Sequence, residues 1–437
     1  MRIAMTNIEK SHHTEAAAKR VSQDSIKNVI EFEALEHSFD AAPDLICLSH
    51  LRWDFVYQRP QHLLTRCARE RRVFFVEEPV FVKEQLAQLD VTMRDCGVSV
   101  VVPRLPEGMS EEEIIDVQRL LLDELLQECR ILDYLLWYYT PMAMPFTQHL
   151  SPLVTVFDCM DELSAFKFAP TALREYEAEL LSRADVVFTG GQSLYEAKRN
   201  QHHNIHPFPS SIDAAHFAQA RSIAHDPDDQ ANIPHPRLGF FGVIDERMDL
   251  ALIDEVALAR PDWQLVMIGP VVKIDPADLP RRQNIHYLGG KDYHHLPAYL
   301  AGWDVALMPF AINESTRFIS PTKTPEYLAA GKPVVSTPIR DVVQPYGEMG
   351  LVHIARTGAE FVEAIEAAFS RKADSTEWLL KIDKLLSQNS WDQTWTRMMK
   401  MIEGAADARA ASHMKAPAMH GVEQRAVKIA GSSMSGD

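Results

Sequence analysis

Short apolar runs, each bounded by polar or turn-forming residues and separated by helix-like stretches, recur along most of the chain. They restrict its fold more than any other feature. Runs at 45–48, 73–76, 134–139, 153–157 and 186–189 alternate with helical patterns at 61–72, 109–130 and 171–182. The strongest helix signal is 109–130: Ser110 caps it, Glu113 completes a capping box, and Ile114, Val117, Leu120, Leu121 and Leu125 share one face. Continuously apolar strands alternating with helices imply a parallel sheet covered on both sides.

At 225–236 the sequence HDPDDQANIPHP places three prolines and three aspartates in a stretch nearly free of apolar residues. This break predicts an interdomain linker. After it the alternation restarts, with strands at 238–243, 264–268, 285–288, 305–309, 334–336 and 351–354 and helices at 249–260, 294–302 and 323–330. The expected organisation is a poorly ordered N-terminal arm at 1–42 and a Rossmann-like domain at 43–224. The linker at 225–236 leads to a second Rossmann-like domain at 237–375. A C-terminal helix at 376–403 and a disordered tail at 404–437, rich in Ala, Gly and Ser, complete it.

Charge and cysteine content narrow the function classes. Lys and Arg number 44 against 61 Asp and Glu, a net charge of −17, which argues against a surface built to neutralise nucleic-acid phosphates. The five cysteines are an odd, dispersed set without a CxxC pair, which fits a reducing compartment and neither a disulfide scaffold nor a zinc ribbon. No secretory h-region and no long apolar span stand in the sequence, so a cytoplasmic location is expected. The histidine pairs 12–13, 202–203 and 294–295 lack the i, i+4 spacing of a helical metal site, and no metal is predicted. One dense basic cluster, Arg66, Arg69, Arg71 and Arg72, suits either anionic lipid or a solvated helix end.

In open α/β sheets ligands bind beyond the carboxyl ends of the strands, so the loops after strands are where chemistry is sought. In SPTKTPEYLAAG (320–331), Ser320 or Thr322 can cap a helix whose start, with Lys323, attracts phosphate, while Glu326 can accept from ribose hydroxyls. An ordinary capped helix with a solvated Lys–Glu pair fits the same pattern. In GVIDER (242–247), Gly242 permits close approach of a ligand and Arg247 can clamp a diphosphate; a plain turn before a charged helix start fits too. FDCMDE (157–162) offers Asp158, Asp161 and Glu162 as candidate bases for a hydroxyl nucleophile, or alternatively a helix cap and a structural hydrogen bond. SHLRWDFVYQRPQ (49–61) gathers His50, Arg52, Trp53, Tyr57 and Arg59, suited to a polar or sugar ligand or to packing on its own domain. Neither GxGxxG nor a Walker A motif occurs, which counts against a dinucleotide dehydrogenase and a P-loop kinase.

The run SPTKTPEYLAAGKPVVST resembles the donor-site signature of GT-B glycosyltransferases, in particular the family-4-like (group 1) enzymes of bacterial exopolysaccharide and glycolipid assembly. FPSSIDAAHF, RWDFVYQRPQHL, FDCMDEL, FTGGQSLYEAK and HYLGGKDYHHLPAYLAGWDVALMPF are similar to segments of the same group, and the resemblance covers about 44–400. It implies a GT-B fold, two Rossmann-like domains facing each other across a cleft. A nucleotide-diphosphate sugar would lie on the second domain, with Gly242, Arg247, Thr322 and Lys323 at the diphosphate, Glu326 at the ribose, and Tyr287 and Tyr293 flanking the base. Asp161, then Asp158, would serve as base or acceptor-positioning carboxylate. His50, Arg52, Trp53 and Arg59 would meet a saccharide or lipid-linked acceptor, and a lipid-linked one would bring peripheral contact with the inner membrane. The resemblance implies no cofactor or metal, since cations and a helix end stabilise the leaving diphosphate. The C-terminal helix near Trp391 and Trp395 would cross back to the first domain. One departure stands out: the earlier Glu of an E-x7-E pair would fall eight residues before Glu326, where this chain has Phe318, and the nearest earlier acid is Glu314. Rival readings are a catalytically idle GT-B-like scaffold and a sugar-nucleotide epimerase of the same architecture.

Overall fold

A computed structural model describes residues 20–27, 42–370 and 376–415. The first sheet is built from β1 (Val21–Lys27), β2 (Asp44–Leu48), β3 (Val73–Val76), β4 (Val80–Val82), β5 (Ala87–Met93), β6 (Val98–Pro106), β7 (Tyr134–Tyr138), β8 (Val154–Cys159), β9 (Val186–Thr189) and β10 (Ile205–Pro207). Their order across the sheet is β1-β5-β6-β3-β2-β7-β8-β9-β10, with β4 added beside β6. Every pairing is parallel except β5 with β6. Helices α1 (Arg59–Cys67), α2 (Glu111–Glu128), α3 (Leu173–Arg183) and α4 (Gln192–Lys198) connect these strands. All five residues of β2 and of β7 are buried, because helices cover both faces of the sheet. Ile46 and Leu48 point into one apolar cluster; Leu45 and Cys47, out of phase by one residue, point into the other.

The second sheet contains β11 (Arg237–Phe241), β12 (Gln264–Ile268), β13 (Ile285–Gly289), β14 (Val305–Met308), β15 (Val334–Ser336) and β16 (Val352–Ile354) in the order β13-β12-β11-β14-β15-β16, all parallel. Numbered within the domain this is 3-2-1-4-5-6, the doubly wound order, whose crevice opens where the chain reverses between β11 and β14. Helices α5 (Ala214–Ala218), α6 (Leu250–Ala259), α7 (Lys323–Ala329), α8 (Gly358–Ser370) and α9 (Thr376–Leu386) pack around it, and α10 (Trp391–Lys415) follows.

The structure moves several boundaries. Part of the segment expected as an N-terminal arm forms β1, paired parallel with β5, and the strands β5 and β6 themselves escaped the sequence reading. The segment 225–236 is not a free linker but a packed piece of the second domain. Its Gln230 is fully buried, accepts from Trp303 Nε1 at 2.9 Å and donates to the Tyr299 carbonyl at 3.0 Å, and Asp226 pairs with Arg237 at 2.7 Å. Polar residues there satisfy a buried network, which composition alone reads as solvent exposure. Ile212 and Phe217 already belong to the core of the second domain, so the chain crosses between 208 and 213.

The expected single helix at 376–403 is two helices with opposite allegiances. Trp378, Ile382 and Leu386 of α9 join the second domain's core, whereas Trp391, Trp395, Met398, Met399, Ile402 and Ala405 of α10 cover the first sheet. Their spacing of three and four puts these residues on one helical face. The second crossing, near 387–391, lies beside the first: Ser390 bridges Ile212 and Ser211 donates to Asn389 at 2.9 Å. The helix continues to Lys415, into the segment expected as tail; the expectations for 1–19, 28–41 and 416–437 lie outside the described residues. Gln230→Ala should lower stability by about 1–3 kcal/mol, because Trp303 Nε1 loses its acceptor in the interior, while the Tyr299 carbonyl keeps the Gly302 amide. The urea midpoint measures it.

Candidate active site

Both sheets direct the carboxyl ends of their strands towards one cleft of about 680 Å³. From the first domain it is lined by the loop after β2, by Met160 and Asp161 after β8, by Gly190 after β9 and by Ser210; from the second, by residues after β11, β12, β13 and β14 and by the start of α7.

The loop after β2 is held down from beneath. Glu77 Oε1 accepts the Trp53 amide at 2.8 Å, Gln61 Nε2 donates to the Trp53 carbonyl at 2.6 Å, and the indole packs edge-on against Phe75 with centroids 5.1 Å apart. Trp53 therefore reaches the cleft from a fixed base, and Tyr57 and Phe55 extend beyond it as exposed rings.

Three of the four residues expected at the acceptor lie elsewhere. Arg59 is buried: its guanidinium donates to both oxygens of Asp158 at 2.8–3.2 Å and to the Phe208 carbonyl at 2.7 Å. The same pair removes Asp158 from the candidate bases, since it is fully buried and outside the cleft lining. Burial raises the Asp158 pKa, and Arg59 opposes that rise. Arg52 braces the segment after β3, donating to Glu77 at 2.8 Å and to the carbonyls of Glu78 and Pro79 at 2.6 and 3.3 Å. His50 sits behind the lining, and burial lowers its pKa to about 4, so the ring is neutral. The arginine cluster that suited either anionic lipid or a solvated helix end is engaged: Arg66 and Arg69 pair with Asp392, Arg72 pairs with Asp44, and Arg71 is buried. No described helix is long and apolar enough to cross a membrane.

Two carboxylates of the first domain line the cleft: Asp54, which pairs with Arg94 at 2.6 Å, and Asp161, which follows β8. Burial raises the Asp161 pKa, Arg247 of the opposite domain pulls it down, and Asp245 pushes it up again. Two neighbours escaped sequence reasoning. Phe166, on the same loop, lies within cation–π reach of Arg247 Cζ at 5.4 Å and Lys273 Nζ at 5.0 Å, both from the other domain. Neither position carried a local motif; only the meeting of two loops reveals them.

On the second domain Gly242 has φ +138°, a conformation that L side chains rarely adopt, and a Cβ there would lie 2.2 Å from Lys323 Cε. The missing side chain is the groove in which the lysine lies. Arg247 is oriented by Asp245, donating from Nε and Nη2 at 2.7–3.1 Å. At the start of α7, Thr322, Lys323 and Glu326 all line the cleft. Glu326 is only 8% exposed, so the alternative of a solvated Lys–Glu pair fails. Burial raises the Glu326 pKa to about 7, against the pull of Lys323, and burial lowers that of Lys323, against the pull of Glu326.

The two tyrosines separate. Tyr287 is outside the cleft lining, its hydroxyl donating to the Pro280 carbonyl at 3.2 Å beneath Arg281. Tyr293 lines the cleft, but its faces are taken: it stacks on Tyr57 at 4.6 Å and on His216 at 4.5 Å. Phe318, standing where the resemblance expects a glutamate, packs against the core of the first domain, and Glu314 is exposed beside Arg317 at 3.6 Å. Among the described residues no group of three or more His, Cys, Asp or Glu is placed to hold a metal ion.

Residues 235–371 match the family model of group 1 glycosyl transferases. Over 282 residues, 61% of this chain and 70% of the other, the chain is 24% identical to the Bacillus subtilis protein named "Putative teichuronic acid biosynthesis glycosyltransferase TuaH". Similar solved structures include a sucrose-phosphate synthase from Thermosynechococcus elongatus (TM-score 0.63, 13% identity, 84% of this chain and 100% of that one). Another is Anabaena Alr3699/HepE in complex with UDP and glucose (TM-score 0.58, 14% identity, 83% and 100%). A third is the E. coli trehalose-6-phosphate structure bound with UDP-2-fluoro glucose (TM-score 0.60, 12% identity, 82% and 98%). At these identities the structures establish the fold, which is GT-B. The family match covers the second domain, and with the relative and the fold it supports glycosyl transfer from a nucleotide sugar.

Arg59→Ala should cost about 3–5 kcal/mol, because it strands the Asp158 carboxylate in the interior, while a paired Arg59→Met, Asp158→Leu replacement should recover much of the loss. Chemical denaturation of the three proteins separates these outcomes.

Proposed function

We propose that this enzyme binds the diphosphate of a nucleotide sugar between Arg247, Lys323 and the start of α7, holds the ribose through Glu326, and uses Asp161 as base towards a hydroxyl of a saccharide or lipid-linked acceptor. One observation carries the reading: Asp161 of the first domain lines the same cleft as Arg247, Lys323 and the buried Glu326 of the second. The lipid-linked form of the acceptor, with its peripheral membrane contact, is the less supported half, since the arginine cluster that suggested it is spent on ion pairs.

As the acceptor oxygen bonds to the anomeric carbon, its proton passes to Asp161 and the bond from that carbon to the diphosphate oxygen breaks. Burial that raises the Asp161 pKa makes it a stronger base than a solvated aspartate. The electron pair leaves with the diphosphate, and Arg247 and Lys323 stabilise the charge without reorganising, which is why no metal ion is assigned a role. UDP is the nucleotide to test first, because two structurally similar proteins hold UDP or a UDP sugar.

A thermal-shift screen of UDP, GDP, ADP and dTDP sugars should single out the donor, since a ligand that binds only the folded state raises the melting temperature. With that donor, Arg247→Ala and Lys323→Ala should each weaken nucleotide affinity in calorimetry by about tenfold or more, as expected for a charge-assisted contact. Unchanged affinity would overturn the donor site. Asp161→Asn should lower transfer by about 10²–10⁴-fold with donor affinity nearly unchanged.

Affinity should also depend on pH. A ribose that donates to Glu326 requires the carboxylate, whose pKa of about 7 leaves it largely protonated in acid. Donor affinity should therefore fall as pH drops below about 7, by up to roughly tenfold per unit, and Glu326→Gln should flatten the profile.

A further inference from the structure

We propose that Asp341 is a positioning residue for the transfer reaction: by clasping the 190–193 segment of the opposite domain, it sets the spacing between Asp161 and the donor-side cations. Gly191 is the point where the closed spacing is gauged. The proposal rests on the reading of the cleft given above, but assigns a role to residues outside the chemistry.

Asp341 follows β15 in the second domain and is buried. Its two oxygens accept the backbone amide of Ser193, at the start of α4 in the first domain, at 3.1 and 3.4 Å. The preceding residue, Arg340, forms an ion pair with Glu196 one turn along the same helix. Two consecutive residues of one domain therefore grip a single turn of the other.

Gly191 shows how tight the grip is. Its backbone is extended, with φ −169°, a conformation open to any residue, so its own chain does not require glycine. The opposite domain does: a Cβ on Gly191 would lie 2.3 Å from Asp341 Oδ2 and 2.8 Å from Ser320 Cβ, far inside van der Waals contact. The neighbouring Gly190 lines the cleft, and a Cβ on it would lie 2.1 Å from the carbonyl oxygen of Met160, the residue before Asp161. Its amide also donates to the Cys159 carbonyl at 2.9 Å.

A continuous series of contacts thus runs from Asp341 through Gly191 and Gly190 to Met160 and Asp161. Ser320 touches the same glycine from the strip that leads into Thr322 and Lys323. Phe318, two residues earlier, packs on the first domain's core and continues the contact. Proton transfer from an acceptor held between Asp161 and the donor requires this separation to be correct, and a displacement of about 1 Å is enough to cost about 100-fold in rate. Covalent linkage does not secure it, since among the described residues the chain passes between the domains at the neighbouring crossings 208–213 and 387–391.

The experiment uses the full chain with spin labels at Cys96, the exposed cysteine among four buried ones, and at Leu258→Cys on an exposed position of α6. Pulsed EPR distances are read with and without UDP, alongside UDP calorimetry and turnover of the sugar nucleotide chosen by the screen. Gly191→Ala and Asp341→Ala should both move the interdomain distance to longer values. Turnover should fall about 100-fold, with UDP affinity within about threefold, because the nucleotide contacts lie on one domain. Asp341→Asn should restore the short distance and most of the turnover, as its carbonyl oxygen still accepts the Ser193 amide. Wild-type distances in both alanine variants, a longer distance with unchanged turnover, or UDP affinity lost in step with turnover would each overturn the clasp. Failure of the unsubstituted enzyme to bind UDP would overturn the nucleotide reading instead, and the distances would still decide the clasp.

Discussion

A buried ion pair, Arg59 with Asp158, underlies the arrangement of the first domain. Arg59 opens α1, Asp158 is the penultimate residue of β8, three residues before Asp161, and the guanidinium also meets the Phe208 carbonyl at the first interdomain crossing. One side chain therefore ties the loop that carries Trp53, the strand that delivers Asp161 and the point where the chain leaves the domain. Buried pairs of this kind add little net stability over a well-packed apolar replacement, because desolvation offsets the attraction. What the pair contributes here is register: the guanidinium fork is satisfied only when all three segments meet at one place.

The second domain orders its site by a different means. At its switch point the backbone crowds so closely that side chains are excluded: a Cβ on Gly269 would lie 1.8 Å from the Gly242 carbonyl oxygen, and one on Gly242 would strike Lys323. Cations then occupy the space, with Arg247 pinned by Asp245 and Lys323 laid along glycine. The net charge of −17 is irrelevant at this scale. Exposed charges more than about 8–10 Å away are screened by salt, whereas these groups act at contact distance, where screening is weak.

Some of this was legible in the sequence and some was not, and the division follows physical range. Strands such as 45–48 and 238–241 announced themselves because a strand buried on both faces must be apolar throughout, which is a local condition. The cleft-lining residues Gly242, Arg247, Thr322, Lys323 and Glu326 were likewise readable, since each sits at a strand end or helix start that local pattern reveals. By contrast, the loop after β2 contains His50, Arg52 and Arg59 in a pattern equally suited to ligand contact or to bracing. Three of its four expected ligand residues brace or lie behind the lining, and nothing within the loop could distinguish the outcomes. Gln230 and Asp226 misled in the same way, because a polar residue satisfied in the interior has the same composition as one in water.

The sequence by itself determined two units of alternating strands and helices, the fully buried central strands, and the helix start and glycine turn that form one wall of the cleft, because these depend on periodicity and backbone freedom over a few residues. Tertiary structure decided which carboxylate faces that wall, since Asp158 and Asp161 differ only in whether Arg59, almost a hundred residues earlier, reaches them. It also decided that Phe166, Lys273, Gly191 and Asp341 belong to the site's surroundings. Their roles arise from the meeting of two domains, and contact between surfaces that far apart in the chain leaves no periodic trace in either one.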